Sequence, residues 1–297
     1  MAGDATYGSV VLLLHCDGAN NSVAFPDLSP LARAVTVFGN AKVSTAQSVF
    51  GGASALFDGV GDYLSYAASA DFQVWGGNCT IEFWAFFASS AGNQCLMETG
   101  SSSSNRASIS LLNGSIIFYT EIAGGSGIRI TAPAPSTNAL HAIALVRNGT
   151  TITLYVDGIP VGTTSTAALP TGALALNIGS NRTTSAGVQD YAGHIDEVRI
   201  TKGVARYTAA YSPAVAAFPS WAGQVTGIVR DSASAVAVRT VRAYRRDTGA
   251  LVYSGASAAG TGVYTFNAPT LDELNVICMD DAAGTLENDL IARVIPA

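Results

Sequence analysis

Short alternating runs joined by glycine-containing turns constrain the fold of this chain more than any other feature. Asn113-Gly114 separates the alternating runs 107–112 and 115–120, which is the strongest short-range signal of a β-hairpin. Asn148-Gly149-Thr150 and Asp157-Gly158 predict two further tight turns. No long stretch has helical periodicity. We therefore predict an all-β protein with roughly a dozen short antiparallel strands in its larger part.

Composition and charge exclude several classes of protein. The chain is 48% hydrophobic and only 12% charged, which is far from a disordered composition. Its 15 basic and 21 acidic residues give a net charge of −6, so it lacks the basic footprint of a nucleic-acid binder. The apolar run Val10–Leu14 is too short to span a bilayer or to act as a secretion signal. We expect a protein made in a cytoplasm, with no membrane insertion.

Changes in pattern along the chain predict three parts. Residues 1–8 are a small, polar N-terminal arm without periodicity, which is typical of a frayed terminus or of a tether. Residues 9–219 carry the dense strand-and-turn pattern of a large two-sheet antiparallel jelly-roll sandwich. Residues 220–297 contain fewer strands and predict a second, smaller β-sandwich.

The strand predicted over 193–201 contains an acidic residue of special interest. In strict alternation His194, Asp196, Val198 and Ile200 share one face, and the two aliphatic residues mark that face as buried. We therefore predict that Asp196 points into the core. A carboxylate in that position must be paired, hydrogen-bonded or bound to a cation, because stranding it costs several kcal/mol.

The four cysteines show no metal-binding or redox spacing. Cys16, Cys79, Cys95 and Cys278 form no CxxC pair, and one adjacent histidine, His15, does not make a zinc site. A hairpin predicted around residues 89–92 would place Cys95 opposite residues near Phe86 rather than opposite Cys79. We predict free thiols that serve as small apolar side chains.

The order of motifs resembles a known family. LLLHCDG, FGGASALFDGVGDYL, CTIEFWAFF, HAIALVRNGTTITLYVDGIPVG, LNIGS and HIDEVRITKGVARYTAAYSP follow one another as in a laminin-G-like, concanavalin A-like jelly roll. The resemblance covers residues 8–219 and is closest to the version found in tailed-phage structural proteins, where the ending IDEVRI-K-GVARYT recurs. Through G-x-V-x-D and G-x-Y-x-F motifs, the smaller part resembles a transthyretin-like, carboxypeptidase-regulatory-like β-sandwich.

The resemblance implies a calcium site. Laminin-G-like domains often hold Ca²⁺ with one or two carboxylates and backbone carbonyls, and oxygen ligands suit this ion. Asp17, Asp27 and Asp196 are the candidate ligands, because the first and last strands of this fold lie near each other. The alternative is that Asp196 caps the turn after Cys16 through backbone N–H groups.

The resemblance also implies glycan binding by loops and by exposed aromatic residues at the sheet edge. Trp75, Tyr119 and Tyr191 are the candidates for stacking on a sugar. A fourth aromatic candidate, Tyr207, is expected to plug the base of the domain instead, and Trp75 has a core position as its alternative.

Catalysis is not expected. Glycosidases of related jelly rolls need two carboxylates at a set separation, and their Glu-x-Asp-x-Glu strand is absent here. Glu82 stands alone on its strand, and His15, His141 and His194 have no Ser/His/Asp grouping around them.

Together these observations predict a non-enzymatic virion structural protein of a tailed bacteriophage. It would be a head decoration, a head fibre or a tail-associated protein that displays a lectin-like domain for surface attachment. Its partners would be other capsid or tail proteins, host surface glycans and, in a homo-oligomer, further copies of itself. One alternative is a tail-fibre or baseplate adhesin that recognises host glycans. A second is a bacterial cell-surface carbohydrate-binding protein, against which the missing secretion signal counts.

Overall fold

The computed structural model describes residues 3–123, 125–165, 169–181, 189–230, 234–270, 272–279 and 289–296. The chain divides into two compact units, one of residues 9–218 and one that combines residues 1–8 with residues 219–297. The N-terminal segment is thus part of the smaller unit, in which the Asp4 amide donates to the Trp221 carbonyl at 2.9 Å. Among the described residues, no helix has the length and apolar character needed to cross a membrane.

The larger unit is all-β, as predicted. Its strands are β1 (Val10–Leu14), β2 (Thr36–Phe38), β3 (Lys42–Ser44), β4 (Ser54–Asp58), β5 (Tyr63–Ser69), β6 (Cys79–Phe87), β7 (Asn93–Ser102), β8 (Asn105–Leu112), β9 (Ser115–Ile122), β10 (Gly125–Pro133), β11 (Leu140–Asn148), β12 (Thr151–Val156), β13 (Ile159–Ser165), β14 (Leu174–Ile178) and β15 (Ala192–Lys202). Asn113-Gly114 and Asp157-Gly158 both have positive φ at each residue, as tight hairpin turns require.

Two antiparallel sheets form the sandwich, which confirms the predicted jelly-roll class. The eight-stranded sheet has the order β13-β12-β11-β6-β15-β4-β3, and β1 pairs with β15. The seven-stranded sheet has the order β10-β9-β8-β7-β14-β5-β2. Consecutive β6 and β7 belong to different sheets, so the hairpin predicted around residues 89–92 does not form. A connection between two facing sheets shows the same alternation and turn residues as a hairpin. The sequence pattern around residues 89–92 therefore does not distinguish the two.

The core lies between the facing sides of the sheets. β6 shows the alternation on which the prediction depended, because Ile81, Phe83 and Phe87 are at most 2% exposed and belong to the core. Leu174, Leu176 and Ile178 on β14 enter the same core from the opposite sheet. Burying such aliphatic and aromatic side chains contributes about 1.5–3 kcal/mol each.

The predicted side-chain alternation of β15 is wrong, because a β-bulge interrupts the strand. The pairing of β15 with β6 shifts register between Asp196 and Arg199, and Glu197 has φ +50°. An extra residue reverses the alternation, so Ile195 and Val198 both enter the core. Asp196 instead pairs with Trp84 on the side of the sheet that faces away from the core. Strict alternation could not reveal this, since nothing in the local sequence marks the bulge.

A segment after β15 covers part of that outer side of the eight-stranded sheet. We call residues 203–218 the strap. The Tyr207 hydroxyl donates to Glu82 Oε2 at 2.7 Å, and the Tyr207 and Tyr211 rings stack with centroids 3.5 Å apart. At the end of the strap, the Phe218 amide donates to Glu197 Oε2 at 2.8 Å. Tyr207 is therefore packed against the outer side of the eight-stranded sheet.

The smaller unit contains two sheets of its own. A two-stranded sheet pairs β16 (Gly223–Ile228) with β19 (Val263–Ala268). A four-stranded sheet has the order β18-β17-β20-β21, from β17 (Thr240–Arg245), β18 (Leu251–Ala256), β20 (Leu274–Met279) and β21 (Asp289–Val294). Val225, Val241, Tyr264, Phe266 and Val276 form its core.

All four cysteines are free, which confirms the prediction. Cys16, Cys79 and Cys95 are buried, and Cys278 is half-buried. Burial raises the pKa of Cys79 to about 12, so this thiol stays protonated and acts as a small apolar group.

Candidate functional site

Two of the three predicted calcium ligands lie in an acidic cluster at the end of β1. His15 Nδ1 contacts Glu197 Oε1 at 2.8 Å, and the bulge places Asp196 next to Glu197. Asp196 is fully buried and accepts the Val49 amide at 2.8 Å and the Glu197 amide at 2.9 Å. Burial raises the pKa of Asp196 to about 7. Burial also raises the pKa of Asp17, whose Oδ1 is buried without a hydrogen-bond partner.

The third predicted ligand has a structural role instead. Asp27 is 7% exposed, and its two oxygens accept four hydrogen bonds. The donors are the amides of Leu13 at 3.0 Å, Ser29 at 2.9 Å and Arg33 at 2.8 Å, together with the Ser29 hydroxyl at 2.9 Å. This carboxylate anchors the loop after β1 to the strand, so its lone pairs are already used.

A calcium ion would therefore have only Asp17 and Asp196 from the predicted set. Asp196 already accepts backbone amides, but they belong to Val49 and Glu197 and not to the turn after Cys16 that the alternative named. Within the described part of the chain, no group of three or more His, Cys, Asp or Glu side chains is arranged to hold a metal ion. The residues present do not form a complete protein site for calcium.

Two of the three residues predicted to stack on a sugar are buried in the structure. Trp75 is 4% exposed, donates from Nε1 to Thr99 Oγ1 at 2.9 Å and packs against Phe118 in the core. Tyr191 is fully buried and donates its hydroxyl to the Phe86 carbonyl at 2.7 Å. Both rings belong to the hydrophobic core between the sheets, where a sugar cannot reach them, so both predictions are wrong. Aromatic residues mark cores as often as binding sites, and sequence position alone did not separate the two.

Tyr119 lies on the outer side of the seven-stranded sheet and is half-buried. This side carries a row of cross-strand neighbours, which we call the polar row. Its members are Ser65 on β5, Asn177 on β14, Glu98 on β7, Ser108 on β8 and Tyr119 on β9. The polar row follows from alternation, because the residues on either side of each member point into the core or the sheet edge.

One ion-pair network crosses the polar row near Tyr119. Arg106 contacts Glu98 Oε2 at 3.1 Å and Glu121 Oε2 at 2.6 Å, and its guanidinium lies 5.1 Å from the Tyr119 ring centroid. The Tyr119 hydroxyl donates to Glu121 Oε2 at 3.1 Å. Burial alone would lower the pKa of Arg106, but its hydrogen bonds to Glu121 and Glu98 raise it. The two carboxylates and the tyrosine are thus held in fixed positions.

Asn177, which lies between Ser65 and Glu98 in the polar row, differs from its neighbours. It is 3% exposed, and its side-chain amide forms no hydrogen bond with any residue that the structure describes. The amide atoms are not among the fully buried side-chain atoms that lack a partner, so they reach solvent. An amide offers two donors and an acceptor, which are the groups that recognise a hydroxyl-rich ligand.

Comparison with known proteins places this architecture in a family. Residues 58–206, which are half of the chain, match the family model Laminin_G_3, described as the concanavalin A-like lectin/glucanases superfamily. The chain belongs to this superfamily. The resemblance inferred from the motif order is confirmed at that level. A comparison with curated protein sequences finds no match.

Solved structures show the concanavalin A-like fold as well. Domain 4 of AbnA, a GH43 extracellular arabinanase from Geobacillus stearothermophilus solved with arabinotriose, matches with a TM-score of 0.53 and 14% identity. That match covers 66% of this chain and 94% of the arabinanase domain. The binding domain of botulinum neurotoxin DC, solved with rat synaptotagmin II, matches with a TM-score of 0.51 and 11% identity. That match covers 94% of this chain and 73% of the neurotoxin chain. At these identities the similarity shows the fold alone.

Sequence reasoning missed the most informative residue of this concanavalin A-like domain. Asn177 lies in the run LALNI, in which Leu174, Leu176 and Ile178 alternate with Ala175 and Asn177. A polar amide on the outward positions of a central strand was the available signal. It became useful only once the sheet order placed β14 beside β7 and β5.

Proposed function

We propose that residues 9–218 form a non-enzymatic, lectin-like module that binds glycans on the outer side of its seven-stranded sheet. The side-chain amide of Asn177, which reaches solvent and has no partner among the described residues, carries this proposal. A bound hydroxyl would hydrogen-bond to this amide, and the carboxylate of Glu121, whose side chain is 31% exposed, would accept further hydrogen bonds. The superfamily match supports this reading, since its description includes lectins.

The opposite sheet is a weaker candidate for the binding face. The strap covers part of its outer side, and Tyr155 and Tyr207 are packed there as part of a small apolar cluster. A ligand on that part of the sheet would have to displace buried aromatic contacts. On the outer side of the seven-stranded sheet, Ser65 and Tyr119 are half-buried, so part of that side is open to a ligand.

A binding role agrees better with the carboxylates than a hydrolytic one. Glycoside hydrolysis needs one carboxyl group as an acid and a second as a nucleophile or base. Glu98 of the polar row and Glu121, two residues after Tyr119, share Arg106 as their ion-pair partner. Each is therefore engaged by a cation and is poorly placed to donate a proton.

We further propose that the module is displayed on a tailed-phage particle. The support is the motif order that ends in IDEVRI-K-GVARYT, together with a second β unit whose motifs resemble the transthyretin-like sandwich. Repeated copies on a particle would convert weak glycan contacts into avidity. A head decoration or head fibre should bind assembled capsids, whereas a tail adhesin should bind host cells and block infection. Immunogold labelling of particles distinguishes the two locations.

The binding proposal is tested with Asn177→Ala on a glycan microarray. Removing an amide without a partner leaves no protein group unsatisfied, so the variant should fold with an unchanged melting temperature. Loss of one or two neutral hydrogen bonds, at about 0.5–1.5 kcal/mol each, should weaken binding by roughly 2–150-fold. Asn148→Ala, at an exposed turn of the eight-stranded sheet, is the matched control. Wild-type binding that survives Asn177→Ala unchanged would refute this binding face.

A further inference from the structure

The edge of the seven-stranded sheet carries a stacked pair of aromatic rings. Phe38 on β2 and Tyr63 on β5 are cross-strand partners, with ring centroids 4.2 Å apart and planes within 3° of parallel. Phe38 is 39% exposed. Because β2 is the last strand of this sheet in the described part of the chain, the Phe38 ring face that turns away from Tyr63 has no described strand beside it.

A rigid turn holds this pair in place. Asp62, which is 1% exposed, accepts the Asn40 amide at 2.6 Å and the Asp58 amide at 2.9 Å. It thus ties the end of β2 to the turn that leads into β5. Gly39 has φ +67°, and a Cβ at that position would lie 2.3 Å from Asp62 Oδ1. The ring pair is therefore fixed before any ligand arrives, which reduces the entropy lost on binding.

The aromatic pair shares its side of the sheet with the polar row. Ser65 is the β5 partner of Asn177, and Tyr63 lies two residues away from Ser65 on the same side. Diagonal neighbours of this kind are about 7–8 Å apart. An accessible aromatic face and an amide that reaches solvent without a described protein partner are thus adjacent on one surface.

This combination matches the chemistry of a saccharide. A sugar ring has C–H groups on one face, which pack on an aromatic ring, and hydroxyls at its rim, which bond to amides and carboxylates. A stacked cross-strand pair also stabilises a sheet by itself. That role does not account for the clamped turn or for the neighbouring amide.

We infer that Phe38 and Tyr63 form an aromatic subsite that stacks on one sugar ring of a glycan while Asn177 binds the adjoining ring. The site then takes oligosaccharides, and its affinity rises with chain length. This inference rests on the proposed glycan-binding function and deepens it.

The experiment compares Phe38→Ala with the wild-type full chain on an array of saccharides from one to five units. We expect roughly tenfold weaker binding of the longer oligosaccharides, which corresponds to about 1.4 kcal/mol, with binding of the shortest ligands unchanged. Only the longer ligands reach the aromatic pair and Asn177 together. Phe38→Tyr, which keeps the ring, should restore the wild-type profile. Ile159→Ala, at an exposed position that is 57% accessible on the edge of the other sheet, is the control.

The outcomes separate this inference from the proposal on which it rests. If Phe38→Ala changes nothing while Asn177→Ala weakens binding, the subsite is overturned and the binding face stands. If neither variant changes binding, both fail. A uniform loss over all lengths also contradicts a separate subsite. If Phe38→Ala instead dissolves a dimer seen by light scattering, the ring pair serves a second copy of the chain, and the glycan assignment is overturned.

Discussion

Replacing Asp196 by asparagine should change the stability of this protein in a pH-dependent way. The carboxyl group is fully buried, and burial raises its pKa from 3.8 to about 7. Between these two values the folded state binds more protons than the unfolded state, so stability falls as pH rises. At 1.36 kcal/mol per pKa unit, the folded protein loses about 4 kcal/mol over the whole range, of which about 3 kcal/mol falls between pH 5 and pH 8.

Asp196→Asn removes the charge and so removes this loss. The asparagine side chain keeps one acceptor oxygen, but its NH₂ group replaces the second carboxylate oxygen and faces a backbone N–H donor. The lost hydrogen bond costs about 1–3 kcal/mol of stability at any pH. The variant should therefore be less stable than the wild type near pH 5. Between pH 5 and pH 8 its free energy of unfolding, relative to that of the wild type, should rise by about 3 kcal/mol. His15, whose pKa is raised by Glu197 against the effect of burial, changes stability in the same direction in both proteins.

The assay is thermal unfolding of the full chain, followed by circular dichroism at both pH values. A gain of 3 kcal/mol corresponds to roughly 6–12 °C in the melting temperature of the larger unit. An identical difference between variant and wild type at both pH values would refute the account of Asp196. Excess Ca²⁺ adds a second readout: because Asp17 and Asp196 alone do not complete a calcium site, it should leave the stability of the wild type at pH 8 unchanged. A rise in the melting temperature that a chelator reverses would contradict this conclusion.

Further substitutions test how the larger unit is held together. Asp27→Ala should destabilise it by about 3–5 kcal/mol, because four donors lose their acceptor. If denaturant unfolding shows that the free energy of unfolding falls by less than about 1 kcal/mol, the anchoring role is contradicted. Tyr207→Phe should cost about 1.5–3 kcal/mol, because its hydroxyl bonds to the buried Glu82 carboxylate. Tyr211→Phe removes a hydroxyl that forms no such bond and should cost less than about 1 kcal/mol in the same assay. Equal losses of stability for the two variants would show that the strap is not anchored through Glu82.

The sequence predicted the fold class because alternation and turn chemistry are local. β6 and the Asn113-Gly114 hairpin form as expected, since each depends on residues close together in the chain. The side of the sheet on which Asp196 lies was misassigned, because one bulged residue reverses the alternation and leaves no local mark. The strand Lys42–Ser44 was missed, as three residues carry too little pattern.

The candidate site was harder to predict because it depends on contacts between distant segments. Trp75 and Tyr191 have the residue type of a sugar-binding site, but their burial is set by packing against the opposite sheet. Asn177 becomes informative only when β14 is known to lie between β5 and β7, more than a hundred residues away in the case of β5. Phe38 and Tyr63 likewise meet only through strand pairing.

Hydrogen–deuterium exchange of the full chain, with and without the oligosaccharide that binds best on the array, tests the central claim most directly. The amides of a strand exchange more slowly when a ligand covers and stabilises it. Binding on the polar row predicts slower exchange in Tyr63–Ser69, Asn93–Ser102 and Leu174–Ile178, with no change in the strap. Protection confined to the strap or to Leu140–Asn148 would instead place the ligand on the eight-stranded sheet and contradict the account.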